Sequence, residues 1–218
     1  GLPIILVITL ALGMRNMARH KAIIRRMKAV ETLGSTTVIC SDKTGTLTKN
    51  EMTVRQLHTV DGYYGVTGDG FNPKGALTDG ETELDEDAMS SLQSNPGFRL
   101  LAACLSLCHN SQISKQEGRW TAIGDPTDSA CAVLGWKLNG EVRKFSQRHP
   151  RLHEFFFDTE RKRMSVIHEY EGERWVFAKG AAGGFVPITT HRYLDGELVE
   201  ISEEDLKQAS IRNKEMGS

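Results

Sequence analysis

No charge of one sign predominates in this sequence: 27 Lys and Arg stand against 28 Asp and Glu, a formal net charge of −1. A chain so balanced lacks the strongly basic face that nucleic-acid binding requires, and no such partner is expected. Cysteine is scarce, with only Cys40, Cys104, Cys108 and Cys131. Cys104 and Cys108 fall at helical spacing and, with His109, lack a fourth metal ligand at any usual distance along the chain. Buried, reduced thiols in a cytosolic setting fit them better. Internal repeats and low-complexity tracts are absent. The acidic run 80–87 lacks the alternating ligands and central glycine of an EF-hand loop, so it reads as a solvated loop entering a helix. The apolar run 1–12 is shorter than the ~20 residues needed to cross a bilayer, and it has neither the charged start nor the cleavage site of a secretory signal. At 218 residues the chain suffices for one large domain or two modest ones.

What is present centres on Cys40-Ser-Asp-Lys-Thr-Gly-Thr-Leu-Thr48. The β-branched, apolar Thr37–Cys40 before it reads as a buried strand. A carboxylate at the carboxyl end of such a strand lies where open α/β sheets place their chemistry. Asp42 would project into that crevice, beside the positive charge of Lys43, and Gly45 lets the backbone turn its N–H groups toward an anion. An aspartate so placed can act as a nucleophile and take a phosphoryl group as an acyl phosphate. Upstream, Arg15, Arg19, His20, Lys21, Arg25, Arg26 and Lys28 follow the apolar run directly. That is the positive-inside pattern, so residues 1–14 read as the cytoplasmic end of a transmembrane helix and the basic stretch as a stalk.

The remainder alternates short strands with helices. Residues 55–60 are β-rich, Asp61-Gly62 signals a turn, and residues 63–75 are rich in Gly, Asn and Pro. Residues 96–110 have the spacing of an amphipathic helix, and Lys115–Trp120 is a polar turn before a short strand. Asp125-Pro126 suits the cap and first turn of another helix. Residues 155–166 read as an aromatic strand, a charged turn and a second strand. A phenylalanine on a sheet surface can stack a purine and a basic turn beside it suits phosphates, though by pattern alone three consecutive phenylalanines are more often core. Trp175–Ala181 reads as a strand ending in Lys179-Gly-Ala, Asp195-Gly196 as a turn, and Ser202–Asp205 as the capping signal of a helix reaching about Glu215.

The seven residues Asp42–Thr48 resemble the phosphorylation signature of the P-type ATPases, and Gly1-Leu2-Pro3 resembles the end of a fourth-transmembrane-helix motif in type II cation pumps. Gly124-Asp-Pro-Thr-Asp128, Phe157-Asp-Thr-Glu-Arg-Lys-Arg-Met-Ser165 and Lys179-Gly-Ala181 resemble three nucleotide-site segments of that family, in the expected order. The resemblance implies an α/β fold: part of a haloacid-dehalogenase-like phosphorylation domain carrying an inserted α+β nucleotide-binding domain, an antiparallel sheet flanked by helices. Residues 1–30 would be the membrane helix and stalk, 31–54 the start of the phosphorylation domain and hinge, and 55–218 most of the nucleotide-binding domain. It implies that Asp42 is the nucleophile assisted by Lys43 and Thr44, and that Asp42 and Thr44 bind Mg²⁺. It assigns Asp128 to the adenine end of ATP, Phe157 to adenine stacking, and Lys162 and Lys179 to the nucleotide pocket.

Three positions depart from the family pattern: Asp128 stands for a longer Glu, Thr159 for an Arg of some animal calcium pumps, and Ala182-Gly-Gly184 for Pro-Glu, which would loosen that loop. Thr67-Gly-Asp-Gly70 imitates a magnesium-binding motif that the family carries much later, and reads here as a turn. The function implied is ATP-driven cation transport, with Ca²⁺ as the expected ion, by an integral membrane protein whose residues after about 15 are cytoplasmic. Further Mg²⁺ ligands, the actuator loop and most ion ligands of the family lie outside this sequence, so the chain alone is expected to bind nucleotide weakly and not to transport. Two other classes compete: a nucleotide-binding module without turnover, and a soluble haloacid-dehalogenase-like phosphatase. The phosphatase would want an acid two residues after the nucleophile, where Thr44 stands.

Overall fold

The computed structural model describes residues 1–60 and 62–217. Asp61, half of the expected Asp61-Gly62 turn, lies outside the described residues. The chain divides into two compact units, the first Gly1–Lys49 and the second beginning at Asn50.

In the first unit, α1 (Leu2–Arg19) begins with Pro3 in its first turn, where a missing N–H costs nothing. None of its residues is buried, and by length and composition it is the one helix among the described residues able to cross a membrane. The helix extends through Arg15 and Arg19 and stops where Lys21 takes a left-handed φ of 64°. The basic stretch is therefore divided between α1, a non-helical break, and α2 (Met27–Gly34). Val30 of α2 lies against Gly13 of α1. Ser35 closes α2, its hydroxyl donating to the Thr32 carbonyl at 3.0 Å.

The expected strand Thr37–Cys40 does not form: the segment has no regular secondary structure, with Val38 75% and Ile39 88% exposed. A strand is stabilised by its neighbours' hydrogen bonds and side chains rather than by its own propensity. The first unit has two α-helices, an irregular helical turn at Lys43–Leu47 and no strand among its described residues, so nothing pairs with this one.

The second unit is mixed α/β with small antiparallel sheets. A four-stranded meander comprises β1 (Gln56–His58), β2 (Tyr63–Val66), β3 (Leu77–Asp79) and β4 (Thr82–Glu83). Next come α3 (Glu86–Ser94), capped by Asp85, and α4 (Pro96–Leu107), capped by Asn95 with Pro96 in its first turn. The hairpin β5 (Gln112–Gln116) and β6 (Arg119–Ile123) leads to α5 (Pro126–Asn139) and α6 (Val142–Arg148). The largest sheet, in the order β7-β8-β9, is built from Arg151–Asp158, Arg163–Tyr170 and Glu173–Gly180. One turn of helix, α7 (Ala182–Phe185), precedes the hairpin β10 (His191–Leu194) and β11 (Glu197–Glu200). The last element, α8 (Glu203–Met216), opens with a full capping box between Ser202 and Asp205.

Two apolar clusters meet at α4. Ala103, Leu107 and Cys108 pack against Met164, Val166, Tyr170 and Phe177 of the large sheet. Phe98 and Ala102 pack against Leu134 and Leu138 of α5 and Val66 and Leu77 of the meander. The helix is thus buried on two sides, which requires small residues where α5 crosses it. Gly135 supplies the closest approach: a Cβ there would stand 2.8 Å from the Ser106 hydroxyl and 2.9 Å from its backbone nitrogen. All four cysteines are free.

The chain turns at 69–72, overlapping the expected Thr67–Gly70 turn, with the Asn72 N–H donating to the Asp69 carbonyl at 3.3 Å. Gly68 and Gly70 adopt positive φ of 94° and 56°, while Arg55 donates to the Gly68 carbonyl and pairs with Asp69. The Ala182-Gly-Gly184 segment is the helical turn α7, held by Arg163 donating to the Gly184 carbonyl at 3.1 Å.

The crossing at Gly135 predicts that Gly135→Val destabilises the second unit by about 1–3 kcal/mol through overpacking. At Gly183 a Cβ meets nothing within 4 Å, so Gly183→Ala leaves stability unchanged or raises it by up to about 1 kcal/mol. Urea titrations followed by tryptophan fluorescence check both; equal effects at the two sites would contradict the crossing geometry.

Candidate functional site

Asp125 ends the β5–β6 hairpin in extended conformation, and its carboxylate accepts from the N–H groups of Thr127 at 2.8 Å and Asp128 at 3.3 Å. This cap orients the first turn of α5 and fixes the position of Asp128. The Asp128 carboxylate accepts the backbone N–H of Asn110 at 2.9 Å and forms an ion pair with Lys179. Both side chains are largely covered, Asp128 16% and Lys179 21% exposed. Residues far apart in the sequence, each singled out from a separate segment, are therefore in direct contact.

Lys179 is placed by β9. In register it sits opposite Met164, and Gly180 opposite Arg163. The thiols of Cys104 and Cys108 donate to the carbonyls of Ala178 and Phe177, each at 3.6 Å, tying the end of β9 to α4. A Cβ at Gly180 would collide with the Lys162 carbonyl and Arg163, so only glycine allows this close approach of strand end and turn.

Lys162 occupies that turn between β7 and β8 in a left-handed conformation, φ 53°. Its carbonyl accepts from Ala181 N–H at 3.3 Å, so its backbone stands beside the end of β9 while its side chain is exposed. Phe157 is on the edge strand β7, 60% exposed, with Phe156 73% and Phe155 45% exposed. The three phenylalanines are therefore not core. An exposed aromatic face on a sheet edge is available for stacking. The structure thus joins Asp128 with Lys179 and brings Lys162 by its backbone to the same strand end, while Phe157 contributes an open ring on the same sheet.

In the first unit, Asp42, Lys43 and Thr44 are all exposed. Asp42 accepts from Thr44 N–H at 3.1 Å, Gly45 takes a positive φ of 75°, and Thr48 N–H donates to the Lys43 carbonyl at 3.1 Å. The loop thereby turns back on itself and leaves one carboxylate oxygen of Asp42 outside this bond. An exposed carboxylate and nearby backbone carbonyls are the oxygen donors a hard cation such as Mg²⁺ takes.

Sequence reasoning missed the residues that support Asp128. Arg151, at the start of β7, donates to the carbonyls of Leu107 at 3.0 Å and His109 at 2.7 Å, satisfying the carboxyl end of α4. It also binds the Asn110 side chain at 2.7 Å and Glu154 at 2.9 Å, and Asn110 in turn donates to Glu154 at 2.5 Å. No local pattern announces this network, because its members lie on separate elements. Burial, reinforced by Lys179 and opposed by Asp128, pulls the His109 imidazole down from its ordinary value to about 4.

The sequence model of the family described as P-type ATPase, cytoplasmic domain N, matches residues 97–218. The chain is similar to the cation-transporting ATPase pma1 of Synechocystis sp., at 35% identity over 97% of this chain and 24% of that protein. It is 37% identical to a calcium-transporting ATPase of Bacillus subtilis, over 94% of this chain and 22% of the relative. To the calcium-transporting ATPase type 2C member 1 of Bos taurus it is 34% identical, over 100% of this chain and 22% of the relative. The chain thus spans less than a quarter of the length of each of these relatives.

A histidine held neutral by folding stabilises the native state above its unfolded value near 6.5, and that contribution is lost as pH falls toward about 4. Between pH 7 and pH 5 this amounts to about 2 kcal/mol for His109. His109→Gln should therefore lose about 2 kcal/mol less than the parent chain over this interval, read by urea titration at both pH values; parallel losses would refute the assignment.

Proposed function

The chain belongs to the P-type ATPase family, and from that premise we propose that its second unit binds ATP through Asp128, Phe157, Lys162 and Lys179. The observation that carries this reading is the Asp128–Lys179 ion pair beside the exposed phenylalanines of β7. A covered carboxylate suits the exocyclic amine of adenine, an open aromatic ring suits its face, and two lysines suit an anionic ligand. Asp128, one methylene shorter than Glu, stands at the start of α5 in contact with Lys179 at the end of β9, which supports its assignment beside the base.

In the whole protein, on this reading, Asp42 is the nucleophile. Its carboxylate oxygen attacks the γ-phosphorus in line, the bond to the β–γ bridging oxygen breaks, and ADP leaves, giving an aspartyl phosphate. Lys43 offsets charge on the transferred group, and the Thr44 N–H bond to Asp42 holds the carboxylate oriented. Asp42 and the Thr44 carbonyl would hold Mg²⁺, which when bound neutralises charge on the phosphoryl oxygens. Residues 31–54 would begin the haloacid-dehalogenase-like phosphorylation domain and residues 55–218 would form most of the nucleotide-binding domain. Phosphoryl transfer would drive a cation across the membrane in which α1 is anchored, with the rest of the chain cytoplasmic. Ca²⁺ is the proposed ion, supported by the names of the Bacillus and Bos relatives.

Calorimetric titration with ATP should give saturable binding to this chain. Phe157→Ala should weaken it by about 1–3 kcal/mol, the usual worth of base stacking, and Lys179→Ala should weaken it as well. A folded sample without binding, or binding untouched by both substitutions, overturns the nucleotide assignment. In the full-length protein, Asp42→Asn should abolish hydroxylamine-sensitive incorporation of the γ-phosphoryl group while ATP still binds. Incorporation that survives the substitution removes Asp42 as nucleophile.

A further inference from the structure

A cavity of about 360 Å³ opens between β5, α5 and α6, lined among others by His109, Ser111, Gln112, Trp136, Arg143 and Ser146. The residues assigned to ATP are not in its wall. Its volume falls near the lower end of small-molecule sites. Three features of its lining point to the same ligand chemistry.

The first is an unmet acceptor. His109 is 8% exposed, and its Nε2 lies 3.1 Å from the Ser106 carbonyl, which requires Nε2 to donate. In the neutral ring Nδ1 is then a bare acceptor, and it is buried without a hydrogen-bond partner. A buried polar atom left so costs about 1–3 kcal/mol; Nδ1 is closed to the cavity in this conformation, so a donor entering there reaches it only if the ring turns and the bond to Ser106 adjusts. The second is a free cation: Arg143 is exposed at the rim and forms no ion pair among the described residues, whereas its neighbour Lys144 is paired with Glu141. The third is an aromatic side chain in the lining, Trp136, whose indole is set at 82° to that of Trp120 with ring centroids 5.3 Å apart.

We propose that this cavity is a second binding site, for a small planar organic anion that carries a ring-borne N–H donor. The ring lies on the Trp136 indole, the carboxylate meets the Arg143 guanidinium, and the N–H is directed to His109 Nδ1. Gln112 and Ser146 complete the polar rim. The site is linked to the Asp128 environment through one short segment. His109 lines the cavity, Asn110 donates its N–H to Asp128, and the Ser129 hydroxyl, in α5, donates to Ser111 at 3.0 Å. Occupancy is therefore expected to shift the Asn110 and Asp128 amide resonances as well as those of the cavity wall.

Anthranilate, a planar carboxylate with an adjacent amine, is a suitable probe on the intact chain. Long-range ¹H–¹⁵N spectra of the histidine rings should show saturable movement of His109 Nδ1, with a dissociation constant of about 1 mM or tighter. Arg143→Gln, on the exposed rim, should weaken binding about tenfold or more. Phe157→Ala, an exposed edge-strand position outside the cavity wall, should weaken ATP binding but leave anthranilate binding unchanged, so that loss of the nucleotide site and loss of this one are separately read. Absence of movement at His109 in the folded chain overturns the proposal, as does binding that Arg143→Gln leaves intact; either result reduces the cavity to a hydrated cleft.

Discussion

The second unit depends on α4 being buried on two sides at once. One side takes Leu107 and Cys108 into the large sheet, and the other takes Phe98 and Ala102 toward α5 and the meander. A helix in that position cannot rely on water to satisfy its ends, so each end needs a protein partner. Asn95 supplies the start, accepting Phe98 N–H at 3.2 Å, and the Arg151 guanidinium takes up the Leu107 and His109 carbonyls at the finish. With those carbonyls satisfied, the next N–H along the chain, that of Asn110, is free to donate to Asp128. The candidate nucleotide site is therefore suspended from the carboxyl end of the core helix.

The same geometry governs the electrostatics. Asp128 and Lys179 are each mostly withdrawn from solvent, and a charge withdrawn in this way is tolerated only with a partner. They partner each other, and Asp128 keeps a further hydrogen bond from Asn110, so the carboxylate stays oriented while the ammonium has capacity for another acceptor. Lys carries three donors and this pair uses one. An anionic ligand could therefore be bound without breaking the pair. Gly180 lets the end of β9 lie directly against the turn carrying Lys162, so the two lysines stand at the same strand end.

Much of this was legible in the sequence because it is local. The Asp125-Pro126 cap, the Ser202–Asp205 capping box, the Asp195-Gly196 turn and the strand-turn-strand around Lys162 are signals a few residues long, and their geometry is fixed by those residues. Thr37–Cys40 failed for the opposite reason: its β-branched pattern states a preference that only a neighbouring strand can realise. The exposure of Phe155, Phe156 and Phe157 was not decidable from pattern, since hydrophobicity does not say whether a strand lies at a sheet edge. Arg151 and Asn110 were invisible because their roles exist only once β7 returns alongside the end of α4.

That division accounts for where the chain carries its unmet demands. Local signals satisfy their own backbone groups, so caps and turns close without residue. Groups positioned by long-range packing have no such guarantee, and His109 is one of them: it is drawn inward with the end of α4, and one of its nitrogens finds no partner. Between His109 and Ser111 the chain changes from helix to strand: His109 and Ser111 both line the cavity, Asn110 between them binds the Asp128 carboxylate, and Ser111 also meets Ser129 of α5. Such a junction has no regular hydrogen-bond ladder to hold it, so its position is set by what its side chains and amides bind. A ligand bound on either side, as proposed, would then be felt on the other through the same few bonds.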